Sequence, residues 1–129
     1  MAEFQHIGIS VSDLDRAVRW YAARFGYQET KRFAKPELKV CGAVMTLGSA
    51  VLEILQSDSP QPARSAGFTL AQRLGELGAN HFAIGVSDVT QCYATFERDG
   101  VGLVSGLIDG RFFFCTDPDG TLLEVRRLG

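Results

Sequence analysis

The sequence predicts an α+β fold built from two tandem β-α-β-β-β modules. Three observations predict it: an internal repeat, a change of hydrophobic period from strand-like to helix-like at the same place in each half, and Gly- and Pro-bearing turn signals between the remaining strands. His6-Ile7-Gly8-Ile9-Ser10-Val11-Ser12-Asp13 aligns with His81-Phe82-Ala83-Ile84-Gly85-Val86-Ser87-Asp88 at an offset of 75 residues, with five of the eight positions identical. Leu14, Ala17, Val18 and Tyr21 recur as Val89, Cys92, Tyr93 and Phe96 at the same offset. Arg24-Phe25-Gly26-Tyr27 is echoed by Arg98-Asp99-Gly100-Val101, one residue closer.

Each element has a local reason. Ile7, Ile9 and Val11 alternate with His6, Gly8 and Ser10, the period of a strand. Asp13 then stands as an N-cap, and Leu14, Ala17, Val18, Tyr21, Ala22 and Phe25 fall at helical spacing until Gly26 stops the helix. Strand-like runs follow at about 27–34, 38–48 and 50–56. Ser57 to Gly67 is polar, carries two prolines and reads as a linker. Leu70, Leu74 and Leu77 then mark a short helix before Gly78. The second half predicts a strand at about 81–87, a helix at about 89–99, and strands at about 101–105, 111–116 and 121–127. Asp117-Pro118-Asp119-Gly120 is the turn between the last two. One helix cannot cover four strands on both faces, so each half needs a partner. The expectation is a single domain over 1–129, with repeats at about 4–56 and 80–127.

Composition narrows the function. The 129 residues are 46% hydrophobic and 22% charged, enough for a core and typical of a globular chain. The net charge of −2 and the lack of a Lys/Arg cluster speak against a nucleic-acid partner. Cys41, Cys92 and Cys115 are odd in number and form no CxxC pair, which supports neither a disulfide framework nor a cysteine zinc site. No signal peptide and no membrane-crossing run is visible, so a reduced, cytoplasmic protein without a membrane partner is expected.

The chemistry concentrates in four residues. His6 and His81, the two histidines of the chain, occupy equivalent repeat positions. Each shares a strand face with small residues, Gly8 and Ser10 or Ala83 and Gly85, so that face reads as a cavity wall. Glu53 and Glu124 are single acids in apolar runs, VLEIL and LLEV, that follow turns at Gly48 and Gly120. Burying a lone carboxylate is expensive, and a shared counter-charge would relieve both. Two imidazoles and two carboxylates make a ligand set for one divalent transition metal, with Zn, Ni, Co, Mn and Fe all tolerating it, and leave room for water or substrate. A lone strand histidine also reads as a structural hydrogen-bonding residue, and a lone Glu as a solvent-facing edge. Recurrence at separations of 75 and 71 residues favours the metal. Ser12-Asp13 and Ser87-Asp88 read as helix caps rather than catalytic pairs. Cys41 and Cys115 read as core. GxGxxG, P-loop and GxSxG motifs are absent. Trp20-Tyr21 and Phe112-Phe113-Phe114 read mostly as packing, with Phe113 or Arg111 reaching a pocket if the strand phase turns them inward.

At this point the chain resembles the vicinal oxygen chelate superfamily, the glyoxalase/bleomycin-resistance/dioxygenase group. The resemblance rests on HIGISVSDLDRAVRWYAARFGY at 6–27, LGSAVLEIL at 47–55, NHFAIGVSDV at 80–89 and DPDGTLLEV at 117–125. It implies two βαβββ modules curled into an eight-stranded half-barrel around a metal held by His6, Glu53, His81 and Glu124, the residue types most similar to glyoxalase I. It implies a homodimer and a small-molecule substrate. The implied reaction is that of a lyase or isomerase removing a proton next to a carbonyl, with metal stabilisation of the enediolate. Glu124 is the first choice of base and Glu53 the second. Ser10 and Ser57 stand where bacterial-type glyoxalase I usually carries an Arg and an Asn for glutathione. Acyl-CoA epimerases are similar too, through KVCGAVMTLGSAVLEILQ and NHFAIGVSDV, but usually carry Gln at the position of Glu53. Their further glutamate falls near Gly42. Ring-cleaving dioxygenases and fosfomycin-resistance enzymes typically use two His and one Glu. Bleomycin-binding members generally lack the ligands, and an antibiotic- or metabolite-binding protein is the reading from another class.

Overall fold

The computed structural model describes residues 1–63 and 67–129. It divides into two compact units, Met1–Gln61 and Pro62–Gly129. Residues 64–66 of the expected linker lie outside the described residues.

The first unit runs β1 (Ile7–Ser10), α1 (Leu14–Phe25), β2 (Gln28–Lys35), β3 (Val40–Leu47) and β4 (Ala50–Ser57), in the sheet order β1-β4-β3-β2. The crossover through α1 makes β1 and β4 parallel, with Gly8 opposite Glu53, while β4-β3 and β3-β2 are antiparallel. Helix α1 starts where the sequence places it. Asp13 accepts the Arg16 N–H at 3.0 Å, and Gly26, at φ 84°, donates its N–H to Ala22 O. Leu14, Ala17, Val18 and Tyr21 form its buried stripe. That stripe packs on the sheet face carrying Ala43, Met45, Leu52 and Ile54, all fully buried. Tyr21 meets Trp20 and Tyr27 edge to face, at 4.9 and 5.8 Å between ring centroids, so this aromatic group is packing. The strand expected from residue 38 begins at Val40. Pro36–Leu38 form a 3₁₀ turn that Lys39 closes in the left-handed region, donating its N–H to Pro36 O.

The second unit repeats the plan: α2 (Leu70–Leu74), β5 (Phe82–Val86), α3 (Val89–Arg98), β6 (Gly102–Leu103), β7 (Phe112–Thr116) and β8 (Leu122–Arg127), in the order β5-β8-β7-β6. Strands β5 and β8 are parallel, with Ala83 opposite Glu124. Asp88 caps α3 by accepting the Gln91 N–H at 2.9 Å. The Asp117–Gly120 turn forms as expected. Asp117 Oδ1 accepts from Asp119 and Thr121 N–H, and Gly120 donates its N–H to Asp117 O. Two expectations shorten. Strand β6 spans two residues rather than five, because the Ser105 hydroxyl takes the Phe114 N–H at 2.9 Å in place of a backbone carbonyl. Helix α2 ends at Leu74, where Gly75 caps it, and Leu77 is 90% exposed rather than part of a helical stripe reaching Gly78.

The three consecutive phenylalanines split by strand phase. Phe113 is fully buried and meets Tyr93 and Phe96 of α3 edge to face, at 5.2 and 5.8 Å. It belongs to the helix-covered core, not to the open face, and Arg111 is exposed at the strand end. Cys115, two residues on, lies in the same core, where burial pushes its thiol up to about 12. Cys41 is partly exposed. Each sheet therefore has one face under its helix and one face carrying the histidine and the glutamate.

Candidate metal centre

On the open face of the first sheet, His6 precedes β1 directly and Glu53 sits in β4 opposite Gly8. His6 Nε2 lies 3.8 Å from Glu53 Oε2, with the side chains 38% and 28% exposed. The second sheet repeats this with tighter geometry. His81 Nε2 lies 3.2 Å from Glu124 Oε2, with the side chains 27% and 10% exposed. Gly8, Ser10 and Ala83 are exposed on these faces, and a Cβ at Gly8 would meet nothing closer than Glu53 O at 4.0 Å, whereas Gly85 lies under the Leu128 side chain. The four expected ligands thus stand as two His–Glu pairs, one in each unit. Among the described residues no group of three or more His, Cys, Asp and Glu is assembled.

The amide before each histidine is a feature that the sequence reading missed. Gln5 Oε1 contacts His6 Nδ1, and Asn80 Oδ1 lies 2.7 Å from His81 Nδ1. The Asn80 amide is oriented independently, because its Nδ2 donates to Arg73 O at 2.5 Å. Its oxygen therefore faces the imidazole and accepts a hydrogen bond from Nδ1–H. Nε2 of His81 is turned toward the Glu124 carboxylate, 3.2 Å from Oε2. A metal-ligating histidine is commonly held through one ring nitrogen while the other faces the ligand set, and His81 is held in that way through Nδ1. The residues present fit a divalent ion. The signal was available in the sequence, since Gln5-His6 and Asn80-His81 are the same amide-histidine pair at the same repeat position.

The surroundings of the two carboxylates differ. Glu124, 7% exposed as a residue, contacts Arg126 Nη1 through Oε1 while Oε2 faces His81. The Arg126 guanidinium lies over the Phe112 ring, 4.8 Å from its centroid. Phe114, opposite Glu124 in the ladder, meets the His81 ring edge to face at 5.2 Å. On the first sheet the corresponding place opposite Glu53 is held by Val44. Phe33 lies over Gly42, where a Cβ would come within 2.8 Å of Ile54 O.

The Asn80 bond carries a quantitative expectation. Asn80→Ala should lower affinity for a divalent ion by about 10–100-fold, the usual effect of losing a group that orients a ligand. Competition with a chromophoric chelator measures it. Equal affinity in the variant would show that the ring needs no such anchor.

The sequence matches the glyoxalase/bleomycin resistance protein/dioxygenase superfamily over residues 3–125. No curated protein matches it by sequence. Among solved structures, the trypanothione-dependent glyoxalase I of Leishmania major is 25% identical, with a TM-score of 0.79 over 98% of this chain and 87% of that one. A glyoxalase family protein from Enterococcus faecalis is 26% identical, with a TM-score of 0.74 over 96% of each chain. The fosfomycin resistance protein FosX of Listeria monocytogenes shares the fold at 18% identity, with a TM-score of 0.70 over 100% of this chain and 93% of that one. From the repeat to the paired sheets to the family match that spans both, the chain belongs to the glyoxalase/bleomycin resistance protein/dioxygenase superfamily.

Proposed function

We propose that this protein is a divalent-metal-dependent lyase or isomerase of the glyoxalase I type, which removes a proton next to a carbonyl. The observation that carries the reading is the paired geometry: in each unit a histidine held through Nδ1 turns Nε2 toward a glutamate. His6, Glu53, His81 and Glu124 are the residues that would hold the ion, in a protein that works as a homodimer. When bound, the ion supplies positive charge beside two neighbouring oxygens of the substrate. The chain supplies the rest. Glu124 accepts the α-proton and returns it, and Glu53 is the second carboxylate able to do so. Phe112, partly exposed, lies beside Glu124 on the strand face away from Phe113, with the buried Phe114 next to it, and offers an apolar wall to the substrate. An epimerase-type glutamate at Gly42 meets a physical obstacle, since Phe33 and Ile54 O already occupy the space above that glycine.

Metal analysis of purified protein, followed by α-proton exchange on a panel of hemithioacetals, α-hydroxy-ketones and acyl-CoA thioesters, tests the reading. A bound divalent ion with exchange on at least one panel member is expected. A protein that binds no divalent ion and is not stabilised by adding one would instead be a binding member of the family.

A further inference from the structure

The two carboxylates are equivalent in the repeat but not in their surroundings. Glu124 shares its strand face with Arg126, two residues on, whose guanidinium contacts Oε1. The residue two places after Glu53 is Leu55. The Arg126 side chain, 48% exposed, lies over Phe112, which in turn meets Phe114 edge to face at 6.1 Å. The far oxygen, Oε2, is the one that faces His81. The carboxylate is thus gripped at one oxygen and presented by the other.

We propose that Arg126 is a positioning residue for Glu124. It holds Oε1 so that Oε2 alone is offered beside His81, and it gives the carboxylate a resting partner whenever Oε2 is not engaged. A guanidinium suits this task, because it stays charged and gives a charge-assisted hydrogen bond to the one oxygen it contacts. Phe112 backs one face of the guanidinium. The asymmetry also separates the roles of the two glutamates. Glu124 can release Oε2 and stay aimed, whereas Glu53 has no arginine at the matching position. The inference rests on the metal-site reading above, and its test tells the two apart.

The first measurement is metal-free. In the wild-type apoprotein, the side-chain 15N signal of Arg126 should show restricted guanidinium rotation, and Glu124→Ala should release it. Free rotation in the wild type overturns the proposal whatever the metal does. The second measurement titrates Co(II) into wild type, Arg126→Met and Arg126→Lys. Arg126→Met should bind Co(II) about 10–100-fold more weakly and show an altered visible absorption spectrum, as expected when a partner that orients a ligand is lost. Arg126→Lys should recover part of the affinity. Thermal melting of the apoproteins checks that all variants fold, and a spectrum is not shifted by a merely structural loss. If wild type binds Co(II) and Arg126→Met matches it in affinity and spectrum, the positioning role is wrong while the metal site stands. If wild type binds neither Co(II) nor Zn(II), the metal-site reading fails and takes the positioning role with it.

Discussion

Glu124→Gln is expected to slow exchange of the substrate α-proton by about 10²–10⁴-fold, the usual contribution of a positioned general base. Glutamine keeps the length of the side chain and one oxygen donor. What it loses is the oxygen that can take and return a proton. Metal affinity should fall far less than the rate, by roughly 10-fold, the low end of losses at disturbed metal sites. Glu53→Gln should weaken metal binding similarly and spare more activity. Its side chain is more exposed than that of Glu124, and its histidine stands farther off, at 3.8 Å against 3.2 Å. Hydrogen–deuterium exchange at the substrate α-carbon, with metal content matched between variants, reads the difference. If Glu53→Gln is the slow variant and Glu124→Gln exchanges like wild type, the two roles are reversed. If neither matters, the site performs no acid–base chemistry.

The repeat made most of the fold legible, because two copies of one pattern remove ambiguity that either copy alone would leave. Ile7-Ile9-Val11 followed by Leu14-Ala17-Val18-Tyr21 reads as strand then helix once Ile84-Val86 and Val89-Cys92-Tyr93-Phe96 say the same. The recurrence of His6 and Glu53 as His81 and Glu124 was legible for the same reason, although the sequence reading placed all four at one point rather than in pairs. The sheets make it physical: a crossover through each helix sets β1 beside β4 and β5 beside β8, so residues 47 and 43 positions apart become neighbours. Other features were hidden by chemistry that periodicity does not encode. Gln5 and Asn80 look like ordinary polar residues at a strand entry, yet their oxygens fix the imidazoles. Arg126 looks like the charge that ends a strand, yet it turns back over Phe112. The short β6 follows from one serine hydroxyl displacing a ladder bond, a side-chain event with no periodic signature.

Strand phase in β7 was the least legible feature of the site, since three phenylalanines in a row are apolar on both faces. Phe113→Ala is expected to destabilise the protein by about 3–5 kcal/mol, the usual loss for a large aromatic removed from a core. The side chain is fully buried against Tyr93 and Phe96, so truncation leaves a cavity that two edge-to-face rings cannot collapse into without moving α3. A domain of this kind has only about 5–15 kcal/mol to lose, so the midpoint should drop on the order of 10–20 °C. Phe112→Ala should behave differently. Phe112 is partly exposed on the open face beneath Arg126, so its loss should cost less stability and appear instead in metal affinity and exchange rate. Thermal melting of the metal-free variants, side by side with Co(II) titration, separates the two faces. Equal melting losses with unchanged metal binding would place Phe112 in the core as well, and would leave Arg126 without the ring that holds it over Glu124.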